Sequence, residues 1–163
     1  MKDFLLVFIF FLASQNSFSA TQALTATALD GSFFDLSAQK NKITIINFWA
    51  QWCYNCRQEI VILDEIYHEY KSLGLEIIGV SIDQKKDREK VLRVLAAVSS
   101  YPNLMISDVQ KISLEEPNEI PFSYVIDGNG EVIKKLRGVV IKKDLEKLLQ
   151  PLLTQNVSQK SKK

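Results

Sequence analysis

Stretches of strand-like and helix-like hydrophobic spacing alternate along this chain. Residues 43–48, Ile-Thr-Ile-Ile-Asn-Phe, are β-branched and nearly unbroken in apolar character, the pattern of a strand covered on both faces. This predicts a central strand. Residues 54–72 place Ile60, Leu63, Tyr67 and Tyr70 at helical spacing, and Gly74 supplies the stop. Residues 75–82 return to the buried-strand pattern. Residues 84–99 are helical again, with Val91, Leu92, Leu95 and Val98 on one stripe, a solvated start at Lys85, Lys86, Arg88 and Glu89, and an end at Tyr101-Pro102. Two more strands, 122–126 and 131–136, flank Asp127-Gly128-Asn129-Gly130, turn chemistry that pairs them antiparallel. A last helix covers residues 141–153, striped by Leu145, Leu148, Leu149 and Leu152. Upstream, Asp30-Gly31 between short apolar stretches predicts an N-terminal β-hairpin.

The predicted order is hairpin, β-α-β-α, then ββα. A parallel crossover unit joined to an antiparallel one makes an α/β fold, a central mixed β-sheet flanked by helices. In such a sheet the chemistry belongs at the carboxyl end of the central strand.

The chain ends read differently. Residues 4–13 are an apolar run behind Lys2, followed by the polar stretch 14–19, which matches a secretory signal with Ser17 and Ser19 at the cleavage site. Ten apolar residues fall short of the roughly 20 needed to span a bilayer, so residues 1–19 are expected to be a signal peptide. The alternative is an uncleaved N-terminal anchor, because Asp3 offsets Lys2. Residues 20–154 are then the folded domain, and residues 155–163, polar and Lys-rich, a flexible basic tail.

Composition narrows the function. The 163 residues carry 20 Lys and Arg against 19 Asp and Glu, a formal charge of +1, so there is no net basic field to draw the chain to nucleic acid. With 47% hydrophobic residues, disorder is excluded. The 2 cysteines are too few for a disulfide framework, and they stand three positions apart.

Those cysteines, Cys53 and Cys56, open the first long helix directly after the central strand. A thiol there faces unpaired backbone N–H groups and the positive end of the helix dipole, which favour thiolate. Cys53 is therefore the candidate nucleophile. Cys56, a turn further in, can close a disulfide with it and suits a resolving thiol. An ordinary staple is the plainer reading, but so short a loop stabilises by only about 2 kcal/mol. Metal readings are weak: zinc needs four ligands, and Arg57 stands where haem attachment would need histidine. No metal site is expected. His68, the only histidine, reads as a solvated helix residue, and Lys134, Lys135 and Arg137 as one exposed strand face.

The motif Asn47-Phe48-Trp49-Ala50-Gln51-Trp52-Cys53-x-x-Cys56-Arg57-x-Glu59 resembles the active-site strand and helix of the thioredoxin fold, in particular the TlpA/ResA-like exported thiol-disulfide reductases. Gly79-Val80-Ser81-Ile82-Asp83, the segment from Tyr101-Pro102 to Asp108, and Ile120-Pro121-Phe122-Ser123-Tyr124-Val125-Ile126-Asp127-x-x-Gly130 resemble further family blocks in register. The likeness covers residues 26–150. It implies a thioredoxin-like fold and a cis Ile120-Pro121 bond facing Cys53, with the Ile120 backbone pairing with an extended substrate. It also implies that Trp52, Tyr54 and Asn55 help form the substrate-binding rim, while Trp49 packs beneath the site. Glu59 matches the family's acid and could exchange a proton with Cys56 if burial raises its pKa; the alternative is a solvated glutamate beside Arg57. Two departures stand out. Tyr54-Asn55 replaces a dipeptide that usually contains proline, which leaves the redox poise open, and Val61 replaces a common proline, which predicts a straighter helix.

The resemblance thus implies an exported thiol-disulfide oxidoreductase, in the bacterial periplasm or on the outer face of the cytoplasmic membrane. It would reduce disulfides of other exported proteins, with cytochrome c maturation as one pathway. A membrane thiol electron donor would restore the dithiol. No cofactor beyond the Cys53/Cys56 disulfide is expected, no nucleic acid, and a monomer. The rival functions are a disulfide oxidase or isomerase of the same fold, and a non-catalytic copper(I)-binding protein.

Overall fold

The computed structural model describes residues 21–160. Its elements are β1 (Leu24–Thr27), β2 (Phe33–Asp35), β3 (Ile43–Trp49), α1 (Tyr54–Tyr70), β4 (Leu75–Ser81), α2 (Arg88–Leu95), β5 (Asn103–Met105), β6 (Val109–Ile112), β7 (Phe122–Ile126), β8 (Val132–Arg137) and α3 (Lys142–Lys160). The signal-peptide expectation falls on residues outside those described. Among the described residues no helix is long and apolar enough to cross a membrane.

Strand β3 is central and buried at every position. The main sheet has five strands in the order β5-β4-β3-β7-β8. β3 pairs parallel with β4, and β4 with β5; β3 pairs antiparallel with β7, and β7 with β8. This is the expected mixed sheet, a thioredoxin-like α/β fold.

Alternation along β3 divides the core in two. Ile43, Ile45 and Trp49 belong to one cluster with Ile60, Leu63 and Ile66 of α1, Val91 and Leu95 of α2, and Leu145 and Leu149 of α3. Ile46 and Phe48 belong to the other, with Leu24, Ala26 and Phe34. That second face is closed by a three-stranded sheet, β2-β1-β6, rather than by a helix. The predicted hairpin is part of it: β1 and β2 pair antiparallel around Asp30-Gly31, where the Asp30 carboxylate accepts from Ser32 N at 2.9 Å.

Several local expectations shift. Strands β5 and β6, of 3 and 4 residues, were hidden by their shortness and by the polar Asn103, Gln110 and Lys111. Helix α2 ends at Leu95 rather than Ser99, and Leu92 is exposed, so Val91 and Leu95 bury its face with Val94 partly buried against the same cluster. In α1 the core position is Ile66, with Tyr67 half-buried beside it. The helix ends as expected: Gly74 takes φ +98°, the left-handed C-cap conformation that glycine adopts without steric cost. Helix α3 continues to Lys160, into the stretch read as tail; Gln155 to Lys160 contains no Gly or Pro to stop it. Residues 161–163 lie outside the described residues.

Lys134, Lys135 and Arg137 do not share one face. Lys135 and Arg137 lie over the rings of Tyr124 and Phe122, at 5.5 and 5.6 Å, while strand alternation turns Lys134 to the opposite side. His68 is an exposed helix residue, as expected, and it is hydrogen-bonded at the surface. Its Nε2 lies 2.9 Å from Ser100 Oγ, and Asp64 Oδ1 accepts from both Ser100 N and Ser100 Oγ, which ties α1 to the loop after α2.

Candidate active site

The turn from β3 into α1 is held from the neighbouring strand. Ile82 N donates to the Trp49 carbonyl at 2.9 Å, and Gln51 N donates to Asp83 Oδ2 at 2.8 Å. Cys53 N then donates to the Ala50 carbonyl at 3.1 Å, which turns the chain into the helix. Cys53 is the N-cap of α1, with extended backbone (φ −82°, ψ 107°), and its Sγ accepts from Cys56 N at 3.1 Å.

The two cysteines form a disulfide with a Cα–Cα separation of 5.2 Å. Cys53 retains 9% of its surface, whereas Cys56 has none. When the bond opens, backbone N–H groups and the helix dipole favour negative charge on the outer sulfur. The inner sulfur is shut off from water. The pair is therefore asymmetric in reach and in solvation.

Glu59 is fully buried one turn beyond Cys56, on the same side of α1. The solvated alternative for this residue does not hold. Its Oε2 accepts from Asn47 Nδ2 at 2.7 Å on β3, and its Oε1 accepts from Val140 N at 3.0 Å in the segment between β8 and α3. Burial raises the carboxyl from its ordinary 4.5 to about 7, with the two hydrogen bonds pulling the other way. Burial first, and then the charge of Glu59, push the Tyr101 phenol well above its usual range.

The other expected site residues divide by exposure. Trp52 and Tyr54 are 64% and 66% exposed, large apolar surfaces on either side of Cys53, and Asn55 is exposed beside them. Trp49 is fully buried, beneath the site. The Ile120-Pro121 bond is cis. Pro121 is buried, its carbonyl accepts from Gly138 N at 2.9 Å, and Ile120 packs against the cluster that contains Cys53 and Cys56.

Asp83 and Ser123 were missed as parts of this framework. Asp83 is nearly buried and also accepts from Ser81 Oγ at 2.8 Å; an acid directly after a buried strand was the available signal. Ser123 stands opposite Asn47 in the β3–β7 register and accepts from its Nδ2 at 3.0 Å. The burial of Glu59 had a signal too. Cys56, Glu59, Ile60, Leu63, Ile66 and Tyr70 are the buried positions of α1, and Glu59 sits in step with the rest.

With this geometry in place, comparison with known proteins identifies the chain. Residues 18–152 match the AhpC/TSA family. The chain belongs to that family. A thiol-disulfide oxidoreductase ResA of Bacillus cereus is 31% identical over 126 residues, covering 77% of this chain and 72% of that protein. ResA of Geobacillus kaustophilus is 30% identical over 127 residues at the same coverage. Among solved structures, a putative thiol:disulfide interchange protein DsbE from Chlorobium tepidum shares the fold at a TM-score of 0.68 and 23% identity, covering 82% of this chain and 94% of that one. StoA from Bacillus subtilis does so at 0.64 and 18%, covering 81% and 99%. With ResA-type relatives and a Cys53/Cys56 disulfide at the start of α1, this AhpC/TSA family member is a thiol-disulfide oxidoreductase.

Proposed function

We propose that the chain is an exported reductase of disulfides in other exported proteins, with Cys53 as nucleophile, Cys56 as resolving thiol and Glu59 as the proton acceptor for Cys56. The observation that carries this reading is the asymmetry of the pair: Cys53 caps a helix, while Cys56 is buried a turn away from a carboxyl whose pKa is raised to about 7.

In the cycle, the Cys53 thiolate attacks a substrate disulfide, forming a mixed disulfide and releasing the first substrate thiolate. Glu59 takes the proton of Cys56, whose thiolate attacks Cys53 Sγ. The second substrate thiolate leaves, and Cys53 and Cys56 are joined again. Two electrons pass from the pair to the substrate. No cofactor beyond this dithiol takes part.

Burial bears on direction. A pair oxidises strongly when its reduced form is stabilised. Cys56, without solvent and near a carboxyl, gives little stabilisation to a second thiolate, which favours the reducing direction. Trp52, Tyr54 and Asn55 form the outer rim that meets the substrate, and the Ile120 backbone, set by cis-Pro121, is offered to it. The apolar run at residues 4–13 supports export to the periplasm or the outer face of the cytoplasmic membrane, where a membrane thiol donor would restore the dithiol. Resemblance to the TlpA/ResA group supports cytochrome c maturation as the pathway.

The test is Cys56→Ser in the native compartment. Its expected product is a mixed disulfide at Cys53 with an exported protein, identifiable by mass spectrometry. A reduction potential near −270 mV supports the reductase, and one near −120 mV would establish an oxidase instead.

A further inference from the structure

A groove of about 470 Å³ runs between the start of α1 and the outer face of α2. At one end is Gln51, two residues before Cys53, and Arg57 stands four residues after that cysteine. Lys90 and Arg93 of α2 line it, over an apolar floor that includes Val94 and Val98. No acidic residue lines it. Arg57 has no acidic partner among the described residues. Lys90 shares the Asp87 carboxylate at 2.7 Å, and Arg93 reaches Glu89 only at 3.9 Å, between two largely exposed side chains. That second pair, exposed on both sides, contributes little, so Arg93 and Arg57 keep the groove positive while Lys90 is partly offset by Asp87, whose side chain is only 18% exposed. A chain with a formal charge of only +1 thus gathers three cations along one channel beside its reactive bond.

We infer that this groove docks an acidic polypeptide segment of the dithiol partner that attacks the Cys53–Cys56 disulfide. The inference rests on the reading of that pair as the centre of thiol exchange. The channel is open while the disulfide is formed, which is the state such a partner meets. Acidic side chains would pair with Arg57, Lys90 and Arg93, and apolar ones would cover Val94 and Val98. The partner's thiolate then attacks Cys53 Sγ, the Cys53–Cys56 bond breaks, and Cys56 leaves as a thiolate that takes up a proton. A second partner thiolate attacks the partner sulfur bonded to Cys53. The partner ends as a disulfide, and the pair as a dithiol.

The experiment follows reduction of the oxidised protein by three dithiols: dithiothreitol and two matched Cys-x-x-Cys peptides, one flanked by Asp and Glu, the other by Asn and Gln. The acidic peptide is expected to react about tenfold faster at low salt, within the range of electrostatic steering. That preference should vanish in 0.5 M NaCl and in the exposed double variant Lys90→Glu, Arg93→Glu, while the dithiothreitol rate stays unchanged. Equal peptide rates at low salt would overturn the inference, as would a preference that survives charge reversal. So would a groove that sediments with phosphatidylglycerol vesicles yet shows no peptide preference. If no dithiol reduces the pair, the exchange reading itself fails, a result distinct from all of these.

Discussion

Asn47 Nδ2 lies 2.7 Å from Glu59 Oε2, and the same amide donates to Ser123 Oγ at 3.0 Å. One side chain on the central strand therefore uses both of its amide protons to hold a buried carboxyl on α1 and a hydroxyl on β7. With Val140 N on the other carboxyl oxygen, Glu59 joins α1, β3 and the entry to α3 directly beneath the cysteine pair. Its raised pKa is the outcome of burial winning over two donors. A buried carboxyl that changes charge near neutrality suits proton transfer, but it must cost stability once ionised.

The sign of that cost can be measured. The Glu59 carboxyl is raised from 4.5 unfolded to about 7 folded, so between those pH values the folded chain holds a proton that the unfolded chain has lost. This contribution is greatest below pH 4.5, falls as pH rises, and levels off above 7, a loss on the order of 3 kcal/mol. Urea denaturation of wild type and Glu59→Gln between pH 4.5 and 8 should show the slope in the first and its absence in the second. Equal slopes would remove the buried-acid account. In single-turnover exchange, Glu59→Gln should slow the resolving step by roughly a hundredfold, the low end of general acid–base effects, and flatten its pH profile near 7.

Asn47→Ala removes one of the two donors to Glu59. The folded carboxyl should then titrate higher than 7, and the domain should lose about 1–3 kcal/mol at pH 7, the cost of leaving a buried acceptor unsatisfied. Chemical denaturation gives the stability, and the pH dependence of exchange gives the shift. An unchanged profile would separate Asn47 from the titration of Glu59.

The two tryptophans should separate packing from contact. Trp49 is fully buried, and Trp49→Ala is expected to cost about 3–5 kcal/mol through the cavity left behind. Trp52 is 64% exposed, so Trp52→Ala should change stability by no more than about 0.5 kcal/mol. Turnover with a protein disulfide should nevertheless fall with Trp52→Ala, while reduction by dithiothreitol stays near wild type. A large stability loss would make Trp52 a packing residue.

Gly79 allows a close approach that no side chain permits. A Cβ built there would stand 1.9 Å from Asn103 Oδ1 and 3.1 Å from Trp49 Nε1. Gly79→Ala must displace the Asn103 side-chain amide and crowd the indole, at a cost of about 1–3 kcal/mol. Thermal melts test this, and the near-ultraviolet spectrum of Trp49 should change with them.

Much of this protein was legible from local sequence. Strand β3, helix α1 with its Gly74 stop, strand β4 and the β7–β8 hairpin follow from hydrophobic period and turn chemistry, which act over a few residues. So does the placement of Cys53 and Cys56 at a helix start, because it needs only a strand to end and a helix to begin. The surroundings of the pair needed the folded chain. Glu59 meets Val140 across 81 residues, Asn47 meets Ser123 across 76, and Asp83 reaches Gln51 across 32. Short strands β5 and β6 depend in the same way on neighbours that complete their hydrogen bonds. Periodicity can show that Glu59 faces inward, but the dielectric around its carboxyl depends on which distant groups exclude water and which donate to it. Local preference selected the elements and the reactive pair; long-range packing decided that an acid beneath them titrates near neutrality.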